Sequence, residues 1–162
     1  MKWRNWLKQW DINSIKLNLK FLEMDFSPKE ADKDAAWELY VELLTRISTQ
    51  DLHKEHGDEE AALKSIHSFF EITREILKTN KRDCQEFAKI AIPMLNQVIR
   101  PFTAKWHKLS SSGAFQDVQY CHEFRSELTD LQKELRKLTR MIGAMSEVED
   151  FTVLEAYEEE PH

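Results

Sequence analysis

The sequence predicts an all-α protein: a four-helix bundle with a kinked third helix, an aromatic N-terminal arm that carries a short strand pattern, and an acidic C-terminal tail. Three observations predict it. Apolar residues recur at spacings of three and four along most of the chain, as a helix with one buried face requires. Only 3 glycines and 4 prolines punctuate the 162 residues. Charged residues make up 32% against 41% hydrophobic ones, the balance of a folded domain rather than a disordered chain. That length suits one domain with one core. The pattern divides it into an arm (1–26), a helical bundle (27–146) and a tail (147–162).

Taken in order, residues 2 to 10 place Trp3, Trp6, Leu7 and Trp10 at helical spacing, with Lys2, Arg4 and Lys8 elsewhere around the wheel. Such a short basic amphipathic helix can cap the core, dock on a partner or a second copy, or lie on a membrane surface. Ile15, Leu17, Leu19 and Phe21 then alternate with polar residues at the period of a strand. A lone strand leaves its edges unpaired, so the alternation implies pairing across a homodimer, addition to another protein's sheet, or an accident of a helical or extended segment.

Ser27, Pro28 and Glu30 read as a capping box that starts the first long helix at residue 28, with Ala36, Tyr40, Leu43, Leu44 and Ile47 on its buried face and an end near Gln50. A polar loop follows. The second helix is expected from Asp58, through Leu63, Ile66, Phe69, Phe70, Thr73, Ile76 and Leu77. Asp83 and Glu86 read as another capping box, opening a third helical stretch that Pro93 and Pro101 must kink or break. The fourth helix is the most regular, with Cys121, Phe124, Leu128, Leu131, Leu135, Leu138, Ile142 and Met145 forming a continuous seam. Beyond Ser146 the chain carries seven acids and no lysine or arginine, and Phe151, Val153, Leu154 and Tyr157 stand among them like a docking or disordered segment.

Charge and motif content exclude several function classes. Setting the tail aside leaves 22 of the 29 acids against all 23 bases, so the bundle is near neutral and a broad nucleic-acid surface is not expected. No run of about 18 apolar residues suggests a membrane span, and the charged N-terminus lacks a secretory core, which points to the cytoplasm. Cys84 and Cys121 fall at apolar helix positions and read as buried free thiols. His53, His56 and Asp58 lack a convincing third metal ligand, and no metal or cofactor is expected. His67 and His122 lie on or beside apolar helix faces and read as packed. Signatures of zinc hydrolases, P-loops, dinucleotide folds and serine hydrolases are missing.

Chemistry concentrates between Arg100 and His107. The residue before a proline is pushed out of the helical region, so Arg100 is expected at a hinge and Pro101 at the start of a new turn. Arg100 beside free helical N–H groups, with Lys105 and Lys108 one to two turns on, suits an anion such as phosphate, although a kink arginine also commonly pairs with a neighbouring acid. Arg100 and His107 form R-x6-H, which resembles the R-x4-6-H signature of HEPN-type helical ribonucleases over these eight residues. The resemblance implies an all-helical protein in which two protomers bring Arg100 and His107 together over an RNA phosphodiester and cleave it without metal. Arg100, Pro101, Phe102, Trp106 and His107 are also similar to a block in uncharacterised bacterial proteins of defence or stress gene neighbourhoods, which implies a bacterial cytoplasmic setting. The leading expectation is a non-enzymatic interaction or assembly module that homodimerises through residues 1–26, using Trp3, Trp6, Trp10, Ile15, Leu17, Leu19 and Phe21. The alternative is a HEPN-like ribonuclease or nucleotide-binding effector built on Arg100 and His107.

Overall fold

The computed structural model describes residues 1–11, 17–46 and 58–154; Ile15, Ile47, His53, His56 and Tyr157 lie outside them. Three long helices, α2 (Glu30–Thr45), α3 (Glu59–Asn80) and α6 (Val118–Met145), pack with a composite unit into an all-helical bundle. The composite unit comprises α4 (Gln85–Pro93), a π-helical segment (Met94–Ile99) and α5 (Arg100–Ser111). Ahead of them stands the short α1 (Trp3–Leu7) with a 3-10 turn to Trp10. Among the described residues no strand forms, and no helix is long and apolar enough to cross a membrane.

The regular seam of α6 buries Phe124, Leu128, Leu131, Leu135, Leu138, Ile142 and Met145 within the chain's own core. At 28 residues this helix is about 42 Å long and forms the spine against which α2 packs. Asp117 caps its start by accepting the Gln119 N–H at 2.8 Å, and Asp58 caps α3 by accepting the Ala61 N–H at 3.1 Å.

Helix α2 starts two residues later than Ser27 and Glu30 suggest. The residue responsible is Asp32, whose carboxylate accepts the Lys29 N–H at 2.8 Å and, through its other oxygen, the Phe87 N–H at 2.9 Å. One buried side chain therefore caps α2 and anchors the first turn of α4. Likewise Asp83 does not cap α4; residues 81–84 form a 3-10 turn, and Glu86 faces the N-terminal arm. Cys84 is buried and free as expected, whereas Cys121 is only half-buried and donates to the Phe115 carbonyl.

Arg100 is helical, with φ −57° and ψ −44°, where an extended hinge was expected. Proline needs room for its ring and leaves the carbonyl four residues upstream without a donor. The chain meets both needs before Arg100, by widening Met94–Ile99 into a π-helical segment whose last bond runs from the Arg100 N–H to the Leu95 carbonyl. Helix geometry thus continues through the proline.

The N-terminal arm turns back on itself. Backbone bonds from Trp3 to Met24, Arg4 to Leu22 and Phe26 to Met1 fix this return, with a single antiparallel bridge between Lys2 and Asp25. Residues 17–21 carry no strand ladder; Asn18 instead exchanges two hydrogen bonds with the Gln97 side chain, at 2.7 and 3.1 Å. Their alternation reflects an extended wrap with one face on the core: Leu19 is buried, and Leu17 and Phe21 pack partly against it. Trp3 is fully buried, with its indole N–H donating to Glu86 at 2.8 Å and its ring edge-on to Trp6, Phe21 and Phe26.

Candidate functional site

A cleft of about 410 Å³ lies between α3 and α5, lined among others by His67, Arg74, Arg100 and His107. Arg100 and His107 stand seven residues apart on α5, two helical turns, and so share a face. His67 and Arg74 repeat that spacing in reverse order on α3. The two helices bring the like ends together. His67 meets His107 edge to face, with ring centroids 4.8 Å apart, and Arg74 joins Arg100 at the other end around Phe70. The mirrored order of histidine and arginine was present in the sequence as His67-x6-Arg74, a signal that reading α5 alone misses.

Arg100 is held over the Phe70 ring, its guanidinium carbon 4.7 Å from the centroid, and donates twice to the neutral amide of Asn96, at 3.1 and 3.2 Å. Among the described residues neither Arg100 nor Arg74 is ion-paired with a carboxylate, although both are exposed. Glu71 also lines the cleft, and so does Ser68, whose hydroxyl accepts from Arg46 at 3.1 Å. Among the described residues, two guanidiniums, one acid and two imidazoles line the cleft and give it a positive balance.

His107 is half-buried. Burial, reinforced by the neighbouring His67 ring, pushes its imidazole below the ordinary histidine range, which keeps it neutral near pH 7. Its Nε2 atom is enclosed and has no hydrogen-bond partner. His67 and His122, expected to be packed, are both exposed, His67 while touching Phe70 and His107.

Lys105 does not join Arg100. It pairs with Glu123 at 2.9 Å and with Glu127, and lies over the Trp106 ring, on the face of α5 that meets α6. These carboxylates hold its ammonium above the ordinary lysine range, the Glu127 bond foremost. Lys108 is exposed and does not line the cleft. Of the residues expected to meet a partner, Trp3, Trp6 and Leu19 are buried in the core, and Trp10, Leu17 and Phe21 pack partly against it. No metal-binding group of three histidine, cysteine or acidic residues occurs among the described residues.

No protein-family model, curated protein or solved structure matches the chain. The functional argument therefore rests on the geometry of the cleft.

Proposed function

We propose that this protein is a non-catalytic effector domain that binds a phosphate-bearing ligand in the cleft between α3 and α5. One observation carries the reading: Arg74 and Arg100 line the same cleft, both exposed and neither ion-paired among the described residues. Two like charges in one cleft raise its free energy until an anion lies between them, and planar guanidiniums grip phosphate oxygens through paired hydrogen bonds. The Phe70 ring under Arg100 adds preorganisation by limiting the rotamers that side chain explores.

Calorimetric titration with pyrophosphate and with a nucleoside triphosphate tests the reading. Binding that weakens with added salt and falls roughly ten-fold in each of Arg74→Ala and Arg100→Ala supports it. No heat at millimolar ligand, or affinity untouched by both substitutions, defeats it.

A HEPN-like metal-independent ribonuclease is the second reading, favoured because Arg100 and His107 line one cleft. Against it, the enclosed Nε2 of His107 offers no proton-transfer route to a substrate in the cleft. RNA cleavage that survives chelators and disappears in folded Arg100→Ala and His107→Ala proteins would establish that reading. Homodimerisation through residues 1–26 has less support, since Trp3, Trp6 and Leu19 would have to leave the core they fill.

A further inference from the structure

A second surface adjoins the cleft on the other side of α3, sharing Ser68 and Glu71 with it. Helices α2 and α3 lie side by side, and between them runs an open groove of about 640 Å³. Trp37 and Val41 of α2, one turn apart, and Ile72 and Ile76 of α3, also one turn apart, supply its apolar residues. Trp37 is 42% exposed and Val41 36%, high values for a tryptophan and a valine facing the same groove. Alongside these stripes run two rows of carboxylates at the same spacing, Glu38 and Glu42 on α2, Glu71 and Glu75 on α3. Among the described residues the one basic residue lining it, Arg46, is bound to Glu42 at 2.7 Å and to Ser68 at 3.1 Å.

We propose that this groove docks a basic amphipathic helix of a partner protein, with the partner's apolar stripe on Trp37, Val41 and Ile72 and its lysines or arginines between the two rows of glutamates. The groove meets the chemistry of helix-in-groove recognition, in which an apolar floor supplies affinity and flanking charges set the partner and its register. A half-exposed tryptophan on such a floor is the anchor type that dominates interface energetics.

Charge selects this occupant over those nearer to hand. A second copy meeting groove to groove would set glutamates against glutamates, at a cost rather than a gain. The segment after Ser146 carries seven acids and no lysine or arginine, so it is repelled too. The chain's own basic amphipathic helix, α1, holds Trp3, Trp6 and Leu7 in the core and cannot offer them here. A basic helix from another chain meets none of these obstacles and matches the charge of the groove.

The test uses the full chain and two synthetic helical peptides with the same leucine stripe, one with lysines on its remaining positions and one with glutamates. In a Trp10→Phe background, which removes the one other partly exposed indole, Trp37 reports on the groove, because Trp3 and Trp106 are fully buried and Trp6 nearly so. The lysine peptide should bind in calorimetry and shield Trp37 from acrylamide, and the glutamate peptide should not. Glu38→Lys with Glu75→Lys, both at exposed positions, should weaken the lysine peptide roughly ten-fold, as should Val41→Asp, with unchanged circular dichroism. Equal binding of both peptides, or affinity unaffected by these substitutions, overturns the proposal. So does a Trp37 that is already as shielded in the free protein as its buried counterparts, since the groove would then be filled without a partner. A dimer in sedimentation that Val41→Asp dissolves overturns it in favour of self-association.

Discussion

His67 and His107 meet edge to face, their ring centroids 4.8 Å apart with planes at 89°, although 40 residues of chain separate them. This pairing closes one end of the cleft, while Arg74 and Arg100 line it further along. An edge-to-face imidazole pair is stable when neutral and repulsive when both rings carry protons. Acid therefore acts on the cleft and on the fold together.

The first prediction concerns pH. His107 has a lowered pKa because of burial and the His67 ring, with Glu71, Arg74 and Arg100 as the other charged groups facing the cleft. Its folded pKa lies below the unfolded value of about 6.5, so between the two the unfolded chain binds more protons. The contribution of this group is thus fully kept above pH 6.5 and lost as the pH falls from there towards the folded value. Urea unfolding at pH 7.5 and pH 5.5 should show a loss on acidification that is smaller in His107→Gln.

Asp32→Ala should be strongly destabilising. The substitution leaves the Lys29 and Phe87 N–H groups without their acceptor, at about 1–3 kcal/mol for each donor that stays buried. Asn, which retains one acceptor oxygen, should recover part of the loss. Glu30→Ala, at an exposed position of the same turn, should change stability by no more than about 0.5 kcal/mol. Denaturant midpoints at constant slope give the comparison.

Gly143→Ala should destabilise despite improving helix propensity. A Cβ at this position would stand 2.7 Å from Cε2 of the Tyr40 ring, and that ring is fixed because its hydroxyl accepts the Phe151 N–H at 2.7 Å. Overpacking costs about 1–3 kcal/mol, which exceeds the gain of up to about 1 kcal/mol from replacing a helical glycine. A lowered Tm in Gly143→Ala, partly restored by adding Tyr40→Phe or a smaller residue at 40, checks the collision.

Trp3→Ala should cost about 3–5 kcal/mol, the range for emptying a large buried aromatic site. Trp3→Phe should cost less yet still leave Glu86 short of its indole donor at 2.8 Å. If Trp3→Ala unfolds as wild type does, the arm contributes nothing to the core.

Legibility in the sequence followed the range of the interactions. The α6 seam and the start of α3 at Asp58 are local patterns, with periods or offsets of a few residues, and each stands in the structure where its spacing puts it. Asp32 was hidden because its second partner, Phe87, is 55 residues away. The alternation around Leu17, Leu19 and Phe21 imitates a strand because an extended wrap on a core has the same period. Arg100 was misjudged because the preference of a residue before proline is local, and the π-helical segment upstream overrides it. In the site, Arg100 and His107 were visible as a pair on one helix. Their partners His67 and Arg74 required knowing that α3 and α5 lie together. Lys105 was wrongly grouped with Arg100 because sequence distance does not say which face of α5 meets α6.

The bond between Trp3 and Glu86 spans 83 residues, and this separation matters during synthesis. Trp3 leaves the ribosome some 83 residues ahead of the helix that shelters it. At about 5–20 residues per second the exposed indoles wait for several seconds. Over that interval the nascent chain presents the indoles of Trp3 and Trp6 to whatever chaperone stands at the exit, and the arm settles only once α4 arrives.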